Sequence, residues 1–219
     1  SQCWEKFVRF RDHLLYLKKS YEASLKNEGL IHDRSACQVM ENWFDGANLP
    51  RPEQIGAKLD LIDPEQVVFN DKKRAVKLQL TGMEIDLGAI AKGYIADAVK
   101  NFWQRSGILS GIINLGGNIL LVGSSRHGHG RWQIGVQDPF KIKNLPLGIL
   151  TDLRDCSVVT SGIYERYLKL NGMFYHHMFD SKTGYPIKND LSSVTIVSKN
   201  RSTLIFGRRS LFIMVQKRA

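Results

Sequence analysis

Residues 176–186, HHMFDSKTGYP, carry the densest set of chemistry-capable side chains in the chain. Two adjacent histidines on a strand point to opposite faces, so at most one of them serves a given site. His176 reads as a surface or packing residue, and His177, in register with the polar turn that follows, as the functional one. Asp180, Thr183 and Gly184, with Lys182 and Pro186, make a stiff turn of oxygen and nitrogen groups. No second histidine stands at zinc-ligand spacing, so a zinc site is not expected.

Three further stretches could hold an anion. MEIDLGAIAKGYIADAVKNFW (83–103) brings two glycines and Lys92 to a point where an apolar strand turns into an amphipathic helix. Helix N-termini present unpaired N–H groups and partial positive charge, which suits phosphate, although many such turns bind nothing. LGGN (Leu115–Asn118) puts Gly116 and Gly117 beside Asn118, where missing Cβ atoms permit positive φ or close approach of a ligand; a tight turn explains it equally well. It is not a G-x-G-x-x-G pattern, and no acidic residue follows at the dinucleotide-fold distance, so a Rossmann reading fails. VVTSG places Thr160, Ser161 and Gly162 at a strand end, where small hydroxyls next to glycine can donate to phosphate or a ring edge, although alone the stretch is only a turn.

The elements that must position these groups are mostly strands. The spacing of Leu14, Leu17, Tyr21 and Leu25 predicts a core-packing helix over 12–28. LPRPEQIGAKLDLI predicts a second, with Pro52 in its first turn and Ile55, Leu59 and Ile62 on its apolar face. VVFND, KKRAVKLQL and GMEIDLG read as strands with a turn at Asn70-Asp71. A helix over 89–106 follows, packing through Ile95, Val99 and Phe102 with Ala91 and Ala96 allowing close approach. GIIN, NILLVG, RWQIGVQDP, LGILTDLRDCSVVTSG and SSVTIVS add strands, and YERYLKLNGMFYHHMFD a hairpin turning at Asn171-Gly172. Strands outnumber helices and mostly follow one another directly. The fold class is therefore α+β, helices packed on an antiparallel or mixed sheet, with 1–219 as a single domain.

Composition narrows the function classes. At 219 residues and 43% hydrophobic the chain can bury a sizeable core. Its three cysteines, Cys3, Cys37 and Cys156, are scattered and form no disulfide or metal framework. No apolar run reaches the roughly 18–20 residues that span a bilayer, and no signal peptide opens the sequence. The net charge of +10 favours anionic partners, but the basic residues are dispersed except in the C-terminal tail. No basic stripe interleaved with aromatics appears, so nucleic acid is not an expected partner, and small anionic ligands account for the charge.

Taken in order, DLGAIAKGYIAD, INLGGN, WQIGVQDP, VVTSGIYERY and HHMFDSKTGYP resemble the FAD:protein FMN transferase family, the ApbE-type flavin transferases, over roughly Asn48 to Ser198. The resemblance implies an ApbE-like, T-fold-related architecture, N-terminally truncated here. It also implies transfer of FMN from FAD to a threonine hydroxyl of an acceptor flavoprotein, with magnesium and with release of AMP. FAD and that acceptor are the implied partners. The family is exported and membrane-anchored in the cell envelope, in part as lipoproteins. On this reading His177 and Lys92 are catalytic, Lys92 supporting phosphate charge or tying down the turn. Asp97 pairs with Lys92 or binds FAD; Asn114, Gly116, Gly117, Asn118, Thr160, Ser161, Gly162, Asp180, Thr183 and Gly184 hold the flavin or phosphates; and a backbone carbonyl around Ala89 is the remaining metal donor.

Two stretches depart from the family. It carries G-P-L-V-x-L-W before the proline-rich helix and a magnesium-ligating D-A-D-x-x-S-T near the C-terminus, where this chain has IHDRSACQVMENW and STLIFGRR. Shifting the codon frame reads Ile31–Trp43 as FMIGPLVKLWKIG and Thr203–Arg209 as DADFWST for permitted wobble choices. Both stretches are thus read as frame-displaced copies of family segments. As written, Ile205 and Arg209 replace an Asp and a Thr, removing two oxygen ligands and adding a cation that repels magnesium. The literal sequence therefore keeps two rival readings open: a non-catalytic FAD-binding protein of the same fold, and an FAD pyrophosphatase giving FMN and AMP.

Overall fold

The structure, a computed structural model, describes residues 8–9, 18, 49–85, 88–140, 145–164, 167–180, 182–188 and 190–199. The helix expected over 12–28 lies outside these except for Lys18, which is helical and pairs with Asp71 at 2.7 Å. Cys3, Cys37 and the stretches 31–43 and 203–209 also lie outside them. The chain divides into two compact units, Ser1–Ile90 with Arg166–Ile187, and Ala91–Glu165 with Lys188–Ala219.

In the first unit, strand β1 (Val8–Arg9), β2 (Val67–Asn70) and β3 (Ala75–Leu78) form an antiparallel sheet in the order β1-β3-β2. The β2–β3 turn is closed by the Asn70 side chain, which accepts from the Lys73 N–H at 2.9 Å. Helix α1 (Pro52–Leu59) starts as expected, with Pro52 where a missing N–H costs nothing and Gln54 accepting from the Arg51 N–H at 2.9 Å. It stops sooner than its apolar spacing predicts: Ile62 lies past the helix end, and Ile55 is its buried residue. The strand expected at GMEIDLG is another difference. Among the described residues there, Ile85 alone makes a ladder contact, a single bridge.

The hairpin of β9 (Tyr167–Leu170) and β10 (Met173–His176) turns at Asn171-Gly172, both with positive φ (49° and 78°). Those angles match the right-handed twist of the flanking strands, and Asn-Gly is the pair that adopts them with least strain.

In the second unit, β4 (Gly111–Leu115), β5 (Asn118–Val122), β8 (Ser157–Gly162) and β11 (Ser193–Ser198) form an antiparallel sheet ordered β11-β8-β5-β4. Helix α2 (Gly88–Arg105), part of this unit from Ala91 on, lies on one face: Ala96 is buried with Ile113, Leu120 and Val122, and Val99, Trp103 and Leu115 pack around them. A two-stranded ladder, β6 (Trp132–Gln137) with β7 (Pro146–Leu153), covers the other face. There Leu121, Val158 and Cys156 meet Ile134, Trp132, Leu150 and Leu153.

The face of α2 differs from the expected one. Ile95 and Phe102 are 46% and 60% exposed, whereas Trp103 enters the core, its ring within 2.6 Å of where a Cβ on Gly111 would stand. Gly111 lets the aromatic ring reach the sheet, and that rotates the buried stripe toward Ala96, Val99 and Trp103.

Candidate functional site

Partners facing each other across an antiparallel ladder share a sheet face. The pairs Leu115–Asn118, Asn118–Val159 and Ser161–Val194 therefore place Asn118 and Ser161 on the α2 side, with Leu120 and Ile113. Asn114, Thr160 and Gly162, one residue out of phase, belong to the opposite face.

The α2 side carries the most telling charge. A Cβ on Gly116 would stand 3.6 Å from the Lys92 Nζ, so the ammonium hangs over the β4–β5 turn, where Gly116 and Gly117 take φ of 58° and 82°. Lys92 is half-buried, and among the described residues nothing accepts a hydrogen bond or ion pair from it. Asp97 is not its partner. Five helical residues rotate a side chain by roughly 140° away, so the two stand on different faces of α2. Asp97 engages other groups. A half-buried cation without a carboxylate is stabilised by an anion, and the two glycines leave that approach open.

Ser161 adds a second unsatisfied group. It is buried, and among the described residues its hydroxyl has no hydrogen-bond partner. Ser157 shares that property four residues earlier, paired opposite Leu120.

The opposite-face residues are occupied with the protein itself. The Asn114 side chain accepts from the Gly117 N–H at 2.9 Å, bracing the glycine turn from below. Thr160 Oγ1 lies 2.9 Å from Thr195 Oγ1 on the neighbouring strand. A Cβ on Gly162 would collide with the Tyr164 ring, so the glycine makes room for an aromatic side chain of the protein. These three support the site's frame.

The other loaded segment lies in the first unit. Phe179 bridges Pro186, the Asp180 N–H donates to the Tyr185 carbonyl at 2.9 Å, and the Gly184 N–H donates to the Asp180 carbonyl at 2.8 Å. One carboxylate oxygen of Asp180 accepts from the Lys182 N–H at 2.9 Å, and Thr183 Oγ1 accepts from the Tyr185 N–H at 3.3 Å. Gly184 has φ of 69°, and a Cβ there would strike Ile55 of α1, so glycine is required twice over. His177 is half-buried and held by interactions of its own.

His176 departs from a surface role. It is buried, its Nε2 is 3.0 Å from the Ile187 carbonyl, and its Nδ1 accepts from the Met178 N–H at 3.3 Å. Burial lowers its pKa below the usual histidine range, and the Ile187 carbonyl only partly offsets this. The spacing of HH gives no sign of the role, because the partner at 187 comes from the far side of the loop. Burial likewise raises the Cys156 thiol pKa, which leaves it unreactive.

A magnesium ion demands several oxygen donors. Ala89 lies in the first turn of α2, and among the described residues no three His, Cys, Asp or Glu side chains converge. The described donor set does not fit that ion, so no step is derived through it.

The sequence pattern of the ApbE family matches residues 5–214. The chain is 42% identical over 170 residues to an FAD:protein FMN transferase of Klebsiella pneumoniae, covering 75% of this chain and 51% of that protein. It is 38% identical over 173 residues to one of Treponema pallidum, covering 73% and 47%. The chain thus spans about half the length of these curated relatives. In solved structures it resembles the ApbE protein of Thermotoga maritima, with a TM-score of 0.82, 29% identity, and coverage of 97% of this chain and 69% of that one. A mutant of the flavin transferase ApbE from Vibrio cholerae gives a TM-score of 0.79, 25% identity, and coverage of 98% and 69%.

Proposed function

The chain belongs to the ApbE family, and from that premise we propose that it transfers FMN from FAD to a threonine hydroxyl of an acceptor flavoprotein. The observation that carries the reading is the Lys92 ammonium, unpaired among the described residues and set over the Gly116–Gly117 turn. A diphosphate is the part of FAD that such a cation recognises.

In the proposed reaction the acceptor threonine oxygen attacks the FMN phosphorus, the P–O bond to the AMP moiety breaks, and AMP leaves with the bridging oxygen. The resemblance gives His177 the role of general base for the threonine proton. Lys92 offsets the charge that grows on the phosphoryl oxygens and the leaving group. Gly116 and Gly117 let backbone approach the diphosphate, with Asn118 at the turn's end, and Ser161 offers its unsatisfied hydroxyl. Asn114 and Thr160 brace that frame, and Asp180, Thr183 and Gly184 shape the loop beside His177. Magnesium enters only through the resemblance, as a Lewis acid on the phosphates. Placement in the cell envelope, as an exported and anchored protein, rests on the resemblance too. Among the described residues no helix is long and apolar enough to cross a membrane.

One observation favours a second reading. With Ile205 and Arg209 standing where the resemblance places oxygen ligands, a non-catalytic FAD-binding protein of the same fold is the rival. Incubation with FAD, magnesium and a threonine-bearing acceptor, followed by nucleotide chromatography, separates the outcomes. AMP matched by flavin on the acceptor supports transfer. Intact bound FAD supports the rival, and free FMN with AMP indicates pyrophosphatase action.

A further inference from the structure

The loop 178–187, on which Asp180, Thr183 and Gly184 stand, is closed at its neck by a small number of bonds. The Ile187 N–H donates to the Met178 carbonyl at 2.9 Å, and Phe179 bridges Pro186. The His176 ring lies across this neck and bonds to both sides of it, its Nδ1 accepting from Met178 N–H at 3.3 Å and its Nε2 reaching the Ile187 carbonyl at 3.0 Å. These partners fix one tautomer: an Nδ1 that accepts must be bare, so the ring proton sits on Nε2 and donates to Ile187. His176, Met178 and Ile187 are 7%, 3% and 5% exposed, so no bulk water replaces either bond. His177 sits between two of these fixed residues, and its backbone is held from both sides.

We propose that His176 is a positioning residue, a neutral imidazole clamp that fixes the neck of the 178–187 loop and thereby the placement of His177 and the Asp180–Gly184 turn. The proposal rests on the transfer reading only for its catalytic consequence. The clamp itself follows from the bonds. A slightly larger phenyl ring without nitrogens keeps the site filled but leaves a buried N–H and a buried carbonyl unsatisfied, and these open toward water. Loosening the neck displaces the general base while leaving the phosphate seat at Lys92 untouched, so catalysis falls more than FAD affinity does.

The test compares His176→Phe, which removes both bonds, with His176→Asn, which keeps an acceptor near the Nδ1 position, and His176→Gln, which keeps a donor near the Nε2 position. Amide hydrogen exchange of Ile187 and Gly184 is followed in the full chain, with the Leu121 amide, bonded to the Cys156 carbonyl at 2.8 Å, as the reference. In the Phe variant the Ile187 and Gly184 amides exchange about tenfold faster or more while Leu121 holds its protection, and the Asn and Gln variants fall between Phe and wild type. In the transfer assay kcat falls about tenfold with the KM for FAD changing less than about twofold. Unchanged exchange at Ile187 and Gly184 in the Phe variant overturns the clamp. Equal loss at Leu121 overturns it too, since that is general destabilisation. A wild-type chain that transfers no flavin removes the catalytic reading and leaves exchange to decide the clamp.

Discussion

Ser161 and Gly184 show how one side chain, or its lack, ties stability to the site. The Ser161 hydroxyl is buried and, among the described residues, unsatisfied. Ser161→Ala removes that desolvation penalty, so the ligand-free protein gains about 1 kcal/mol, or about 2–4 °C in melting temperature. FAD then binds more weakly; thermal melts with and without FAD measure both, and a destabilised ligand-free variant refutes the assignment. Gly184→Ala forces a Cβ into Ile55 at a positive φ. It costs about 2 kcal/mol and lowers the turn's protection from exchange. The sequence made HHMFDSKTGYP legible as a loaded turn because glycine, proline and Asp chemistry is local. It could not show that Asn114, Thr160 and Gly162 serve the frame, because their partners are set by pairing: Thr195 and Tyr164 become neighbours only once the chain is folded.

At the scale of elements, α2 is the beam that carries Lys92 at one end and a buried anchor at the other. Lys100, whose side chain is 5% exposed, pairs with Asp155 at 2.7 Å. Asp155 Oδ1 also accepts from the Gly123 N–H at 3.3 Å. Removing the two partners has unequal effects. Asp155→Ala strands a buried ammonium and costs about 2 kcal/mol, reduced from the fully buried figure because the carboxylate is half-exposed. Lys100→Met keeps the apolar stem and leaves a carboxylate that water solvates, costing under about 1 kcal/mol. Denaturant unfolding of both variants checks the order, and equal losses contradict it. The ends of α2 were readable within one residue, as was the turn of the hairpin at Asn171-Gly172, since primed turns are local signals. The buried stripe was legible at Val99 and Ala96 but not at Ile95 and Phe102, because Trp103 fills the space that Gly111 leaves.

For the whole molecule, proton binding links the His176 clamp to stability. Its folded pKa is lowered, so the unfolded chain binds the proton more tightly. The stability it contributes is present above the ordinary histidine pKa of about 6.5 and is lost as pH falls through the lower folded value. His176→Gln therefore flattens the stability profile below about pH 6.5, and a profile as steep as wild type contradicts this. The two stretches that depart from the resemblance, 31–43 and 203–209, bear on the same scale, and the second holds the positions where the resemblance places metal ligands. Sequencing of the encoding DNA is expected to show an insertion or deletion at the borders of each stretch; an unshifted gene rules out displacement.

The proposed function depends on Lys92 gripping a diphosphate over the Gly116–Gly117 turn. Equilibrium binding of FAD and of riboflavin to wild type and Lys92→Met tests it most directly, since both carry the flavin ring and only FAD adds the diphosphate with its adenosine. The account predicts that FAD affinity falls about 10- to 100-fold in the variant, as loss of a charged hydrogen bond requires, with riboflavin affinity unchanged. Equal FAD affinity in the two proteins, or the same loss for riboflavin, would contradict it.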